Sequence, residues 1–172
     1  MKAKKAHVMS SVVLTISGRT VGGEDILISK LLHMYAQYAE SQGWRIQSVP
    51  TTGSPIEPLK EVVTLISGEN AYRKLRHENG VHRIQWVPTT EQEGRVFTAK
   101  LVVTVADKEG SQKILETADR NIRTYNIPQN RATDHRIGLT LHRLDLVMDG
   151  DLEPIIRALT AYFDEGDDGS GA

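Results

Sequence analysis

β-Branched and aliphatic residues crowd Ser11–Ser17 and stop at Gly18, a pattern that predicts a strand. Gly22, Gly23, Glu24 and Asp25 then open a stretch in which Leu27, Leu31, Met34, Tyr35 and Tyr38 recur at helical spacing as far as Gly43. Trp44–Val49 predicts a second strand. Pro50, Pro55 and Pro58, with Gly53 among them, make Pro50–Pro58 a loop, because proline lacks the N–H that either ladder needs. Leu59–Ile66 predicts a third strand, closed by Ser67 and Gly68, and Ala71–His77 a short helix. Val81–Val87 alternates as a strand does, and Arg95–Val105 is a longer strand, so Pro88–Gly94 turns between them as a hairpin. The polar Lys108–Asn121 predicts a helix and Ile122–Asn126 a short extended piece. Two further helices are expected over Ile137–Met148 and Leu152–Phe163, the second capped by Asp151.

Strands come first and helices mostly last, which favours an α+β fold, a β-sheet packed with helices, over a doubly wound sheet. The chain's 172 residues, 39% hydrophobic, match one domain on the usual scale of about 100 to 200 residues. That domain is expected over residues 9–163, between a flexible start (1–8) and a frayed acidic tail (164–172) with little to bury. The absence of cysteine excludes a disulfide framework, a thiolate zinc site and a thiol nucleophile, and fits a reducing cytoplasm. No export signal or membrane span is expected, since no apolar run approaches the ~20 residues that cross a bilayer. A formal charge of -1 argues against a broad polyanion binder but leaves room for a local RNA site.

Candidate chemistry is sparse. Gly22 and Gly23 before a helix let a backbone approach a ligand, although such a pair also serves as a plain tight turn. His77 with His82, and His135 with His142, lack a third ligand at a metal spacing, so they are expected to be structural or surface histidines. No nucleophile elbow occurs, and neither metal nor cofactor is expected. The hairpin Gln85–Thr98 carries more: Gln85, Thr89, Thr90 and Thr98 can each donate and accept hydrogen bonds, and Phe97 can stack on a base. The same pattern also describes a polar turn with Phe97 in the core.

Three long segments resemble the bacterial class I peptide chain release factors, in particular the branch that reads UAA and UAG. They are GGEDILISKLLHMYAQYAESQGW from Gly22, GVHRIQWVPTTEQEGRVFTA from Gly80 and RNIRTYNIPQNRATDHRIGLTLHRLDLVMDGDL from Arg120. The resemblance implies the fold of that family's codon-recognition superdomain. It implies that Pro88, Thr89 and Thr90 form the tripeptide that enters the decoding centre, with Thr90 contacting the first two bases. Gly22, Gly23 and Asp25 match the helix tip that tests the first uridine, and Gln85 with Thr98 the pair that reads the third base. Three positions depart from the family: Asp25 stands for a usual Glu, Phe97 for a stacking histidine, and Trp86 for an arginine.

The larger departure is the lack of Gly-Gly-Gln anywhere in the sequence. In the family, a domain carrying that tripeptide is inserted between the strand matching Leu101–Val105 and the RTYN segment. Here Asp107, Lys108, Glu109 and Gly110 run almost directly on. Nor is the family's N-terminal helical domain expected. The expected function is therefore a non-enzymatic, release-factor-like ribosome binder that recognises a stop or stop-like codon in the A site and modulates termination. Its partners would be the small-subunit decoding centre, the mRNA codon and rRNA. Two alternatives stay open: peptide release with a GGQ-bearing protein in trans, or a scaffold reused for another protein or RNA.

Overall fold

The computed structural model describes residues 9–18, 24–50, 60–107 and 120–165. Among these, the strands are β1 (Met9–Gly18), β2 (Arg45–Pro50), β3 (Glu61–Glu69), β4 (Gly80–Trp86), β5 (Phe97–Asp107), β6 (Asn121–Asn126), β7 (Arg131–Asp134) and β8 (Leu139–Leu141). They form one sheet in the order β2-β3-β1-β5-β4-β6-β7-β8, antiparallel except where β4 meets β6. The helices are α1 (Glu24–Ser41), α2 (Ala71–Leu75), α3 (Leu144–Met148) and α4 (Glu153–Thr160). A 3-10 turn, Arg76–Glu78, continues α2, and a π-helical turn, Ala161–Glu165, continues α4. The fold is α+β.

The pleat sends alternate residues to opposite faces, so register decides what is buried. Val12, Leu14 and Ile16 of β1 face inward beside Ile66, Thr64 and Val62 of β3, and β5 continues that row with Val105, Val103 and Leu101. Onto it packs the apolar stripe of α1, whose Leu27, Leu31, Met34, Tyr35 and Tyr38 are buried. Burial of each large apolar side chain contributes roughly 1.5 to 3 kcal/mol, so this stripe holds α1 to the sheet.

Several elements differ from the sequence expectation. β3 does not stop at Ser67 and Gly68 but runs through them to Glu69. The Trp44 ring lies over Gly68, and a Cβ built there would sit 2.1 Å from its Cδ1, so this glycine is a seat for an indole. The strands of the hairpin are Gly80–Trp86 and Phe97–Asp107, which lengthens the turn beyond Pro88–Gly94. The helix expected over Ile137–Met148 is helical only over Leu144–Met148: Leu139–Leu141 is strand β8, paired with β7 around a turn at Gly138, whose φ is 63°. Leu152, not Asp151, occupies the N-cap of α4, with no side-chain cap bond. The expected helix over Lys108–Asn121 lies outside the described residues, apart from Arg120, a bend, and Asn121, which begins β6. The loop over Pro50–Pro58 also lies outside them, except that Pro50 ends β2.

The acidic end does not begin at Asp164 with nothing to bury. Asp164 is buried, accepts from Arg76, and lies 3.0 Å from His77 Nε2, while Phe163 stacks on the His77 ring at 4.9 Å. Burial lowers the pKa of His77, partly offset by Asp164.

A charged network threads the inward face. Arg123 of β6, fully buried, donates through Nη1 and Nη2 to both oxygens of Glu78, at 2.6 and 2.7 Å, and through Nε and Nη2 to Asp134, at 3.1 and 3.0 Å. Tyr35 of α1 donates to Glu78 at 2.8 Å, and Arg136 donates to Asp134 and to the His77 carbonyl. His82 donates from Nε2 to the Glu78 carbonyl, which obliges Nδ1 to accept from the Tyr125 hydroxyl at 2.8 Å. Burial would raise the Glu78 carboxyl, but the Arg123 charge overrides it and brings the pKa to about 2. Burial, assisted by Arg123, depresses His82 to about 4, so its imidazole is neutral. The network ties α1, the 3-10 turn, β4, β6 and β7 together.

Candidate functional site

Gly18 pairs with Leu101, Trp86 with Phe97, and Gln85 with Asn126, so β1, β4 and β6 all end at the same edge of the molecule. The hairpin between β4 and β5 projects from that edge. Its first half is a β-turn, in which the Glu91 N–H donates to the Pro88 carbonyl at 3.0 Å and Thr89 and Thr90 occupy the two central positions. Both threonines are exposed and Pro88 is half-buried. The second half is organised by Glu91, whose carboxylate accepts from the Glu93 N–H at 3.0 Å and pairs with Arg95 at 3.2 Å. Gly94, at φ 72°, supplies the left-handed step. Glu91 was not singled out from the sequence, where it reads as one more polar turn residue.

Gln85 and Thr98 are direct cross-strand partners, so their side chains share one face of the sheet. Trp86 and Phe97 are the next pair along and belong to the opposite face. Trp86 is half-buried against the core, whereas Phe97 is 45% exposed; the alternative with Phe97 in the core does not hold. Phe97 is the first residue of β5, and its exposed ring stands at the rim. The Gln85 row continues onto β6 with Asn126, whose Nδ2 donates to Gln85 Oε1 at 3.1 Å.

Asp25 sits in the first turn of α1, with Ser29 Oγ donating to its carbonyl at 3.0 Å. It lines an open groove of about 880 Å³ between α1 and α3, with Ile26, Lys30, Ile127, Asn130 and Asp145 among the walls. Ile127 joins this groove to the hairpin, because its N–H donates to the Gln85 carbonyl at 3.0 Å. Gly22 and Gly23 lie outside the described residues. Of the residues singled out from the sequence, Gln85 and Thr98 are thus adjacent, Pro88, Thr89 and Thr90 crown the same hairpin, Phe97 flanks it, and Asp25 lines the separate groove between α1 and α3.

A family model described as the PCRF domain matches residues 1–103. The chain belongs to the peptide chain release factor family. Peptide chain release factor 1 of Lacticaseibacillus casei (strain BL23) is 31% identical over 237 residues, which cover 88% of this chain and 66% of that protein. Peptide chain release factor 1 of Caldicellulosiruptor saccharolyticus is 31% identical over 228 residues, covering 83% and 64%. The chain therefore spans just under two thirds of the length of these release factors. Both alignments are longer than the 172 residues of the chain, so the relatives contain residues with no counterpart in it. RF2 of Thermus thermophilus has the same fold, with a TM-score of 0.73 at 23% identity over 88% of this chain and 67% of that one. No helix among the described residues is long and apolar enough to cross a membrane.

Proposed function

We propose that the chain binds the ribosomal A site, recognises a stop or stop-like codon there through the hairpin edge, and modulates termination without cleaving peptidyl-tRNA. One observation carries this: Gln85 and Thr98 are paired across β4 and β5 beneath the Pro88-Thr89-Thr90 turn, whose two threonines are exposed. Such a cluster offers rotatable donors and acceptors to base edges, and a good bidentate base contact discriminates by roughly 1 to 3 kcal/mol. Phe97 at the rim can stack on a base, a contact worth about 1 to 3 kcal/mol that tolerates any base. Asp25, on the wall of the α1–α3 groove, is assigned as the acceptor for the first base by the family resemblance. Ester cleavage needs preorganised oxyanion donors and a positioned water at the ester, and the sequence has no Gly-Gly-Gln to supply them.

Equilibrium binding or toeprinting on ribosomes programmed with UAA, UAG or a sense codon tests the proposal. Binding to the stop codons should exceed binding to the sense codon by about tenfold or more, and Thr90→Ala should remove most of that margin. Equal binding to all codons would refute codon recognition. Release of formyl-methionine by the chain alone would refute the non-hydrolytic role, whereas release only with an added GGQ-bearing protein would show action in trans.

The exposure of Val87, Val96 and Phe97, at 37, 52 and 45%, favours a second reading, in which the same edge docks a protein partner. Failure to co-sediment with ribosomes would support it.

A further inference from the structure

We infer that the cleft between α2 and α4 is a phosphate site, gripped by Arg73, Lys74 and Arg157, and that Asp164 of the π-helical turn competes with the phosphate for Arg73. The inference stands apart from the codon reading. β4 starts at Gly80, just after the 3-10 turn that continues α2, and ends at Trp86 beneath the hairpin, so about 20 Å of strand separates α2 from the hairpin.

The run Arg73-Lys74-Leu75-Arg76-His77 sets four basic side chains in five positions. Ala71 and Leu75 are buried and anchor α2, which leaves Arg73 and Lys74 to line an open cleft of about 210 Å³. Across it α4 contributes Arg157 and Thr160. Among the described residues lining the cleft Glu153 is the one carboxylate, and it is already engaged. Its Oε2 accepts from the Tyr38 hydroxyl at 2.6 Å, while Oε1 lies 3.6 Å from Lys74 Nζ and 3.9 Å from Arg157 Nη2. Both ion pairs are too long for a hydrogen bond, so Lys74 and Arg157 share a carboxylate that satisfies neither. Lys74 is steadied by donating to Gln42 Oε1 at 2.8 Å and has further hydrogens to give.

Asp164 supplies the second observation. Its Oδ1 is taken by Arg76 and His77, but its Oδ2 is buried without a hydrogen-bond partner, and Arg73 Nε stands 3.8 Å away, too far to donate. Arg76 Nε is buried and without a partner as well. Buried polar atoms are normally satisfied, so this carboxylate under-fills the cations around it. A carboxylate offers two oxygens in one plane, whereas a phosphate sets its oxygens tetrahedrally and matches the guanidinium fork. In the cleft it can accept from Arg73, Lys74 and Arg157 together and from the Thr160 hydroxyl. The Arg73 side chain, 52% exposed, is free to turn from Asp164 to the cleft.

NMR of the isotope-labelled chain during titration with sodium phosphate at constant ionic strength tests the site. Amide shifts should centre on Arg73, Lys74, Arg157 and Thr160, include Asp164 as Arg73 leaves it, and spare Gln85 and Thr90. Arg73→Gln and Arg157→Gln, at largely exposed side chains, should each weaken phosphate binding by about tenfold, the worth of one charge-assisted hydrogen bond. Asp164→Asn keeps an acceptor for Arg76 but removes the rival charge, and should tighten binding by about threefold. A single-stranded oligouridylate of about twelve nucleotides identifies the source of the phosphate. Shifts at the same residues, with a salt slope lower by about 0.7 in Arg73→Gln, assign it to an RNA backbone, and shifts with phosphate alone assign it to a free anion; either supports the site. Shifts scattered over the surface, or affinities within twofold of the parent in both glutamine variants, would overturn it. An Asp164 amide that phosphate leaves unmoved, or an unchanged affinity in Asp164→Asn, would overturn the competition.

Discussion

Replacing Arg123 with methionine should expose how much the fold depends on a buried ion. Arg123 donates four hydrogen bonds to the carboxylates of Glu78 and Asp134, both buried. Without it Asp134 keeps Arg136, but Glu78 keeps only the Tyr35 hydroxyl. Breaking one partner out of a buried pair costs about 3 to 5 kcal/mol, because a charge stays in the interior uncompensated. Against a usual total of about 5 to 15 kcal/mol, this is a third or more of the stability. The cost should depend on pH. Arg123 brings the Glu78 pKa to about 2 against the rise that burial alone would cause, so in Arg123→Met the carboxyl titrates above its ordinary 4.5. Acidification then protonates Glu78 in the folded variant but not in the folded parent, and the gap between them narrows by up to about 1.4 kcal/mol per pH unit. Urea unfolding followed by the fluorescence of Trp44 and Trp86 at pH 7.5 and pH 5.5 measures both effects. Adding Glu78→Gln to Arg123→Met removes the orphaned charge and should recover more than half of the loss. A loss below 1 kcal/mol for the single variant, or a double variant no more stable than the single, would refute this account of the network.

Gly68→Ala should destabilise by about 1 to 3 kcal/mol, read as a lower urea midpoint, because its Cβ would meet the Trp44 ring at 2.1 Å; an unchanged midpoint would mean the indole moves freely. Stability of the parent chain should fall as pH drops from 6.5 to about 4. His82 stays neutral in the fold down to about 4 while the unfolded chain takes up its proton at 6.5, a difference of about 3 kcal/mol once complete. A second loss should follow between pH 4.5 and about 2, where unfolded Glu78 is protonated and folded Glu78 is not, and a stability profile flat from pH 6.5 to 4 would contradict the buried neutral imidazole.

Patterns of local period were readable without coordinates: the strand at Ser11–Ser17, the stripe of α1, and the alternation that makes the β4–β5 hairpin. Each is a run whose apolar spacing matches one element and no other. The short pieces were not. Over Ile137–Met148 the spacing of Ile137, Leu141, Leu144 and Met148 imitates a helix, yet β8 forms because β7 already offers a free edge and Gly138 turns the chain onto it. Gly68 reads as a terminator until Trp44 is seen lying over it. For the site, Gln85, Pro88, Thr90 and Thr98 were picked out by chemistry and by resemblance, while Asn126 carried no signal of its own.

Sequence alone determined the α+β class, the family likeness and the absence of Gly-Gly-Gln, since these depend on composition, period and order along the chain. Tertiary structure decided which polar residues face one another. The pairing of Gln85 with Thr98 and Asn126, and the enclosure of Arg123 by Glu78 and Asp134, join strands far apart in the chain. Such contacts follow from strand register, which is a property of the assembled sheet and of no single segment.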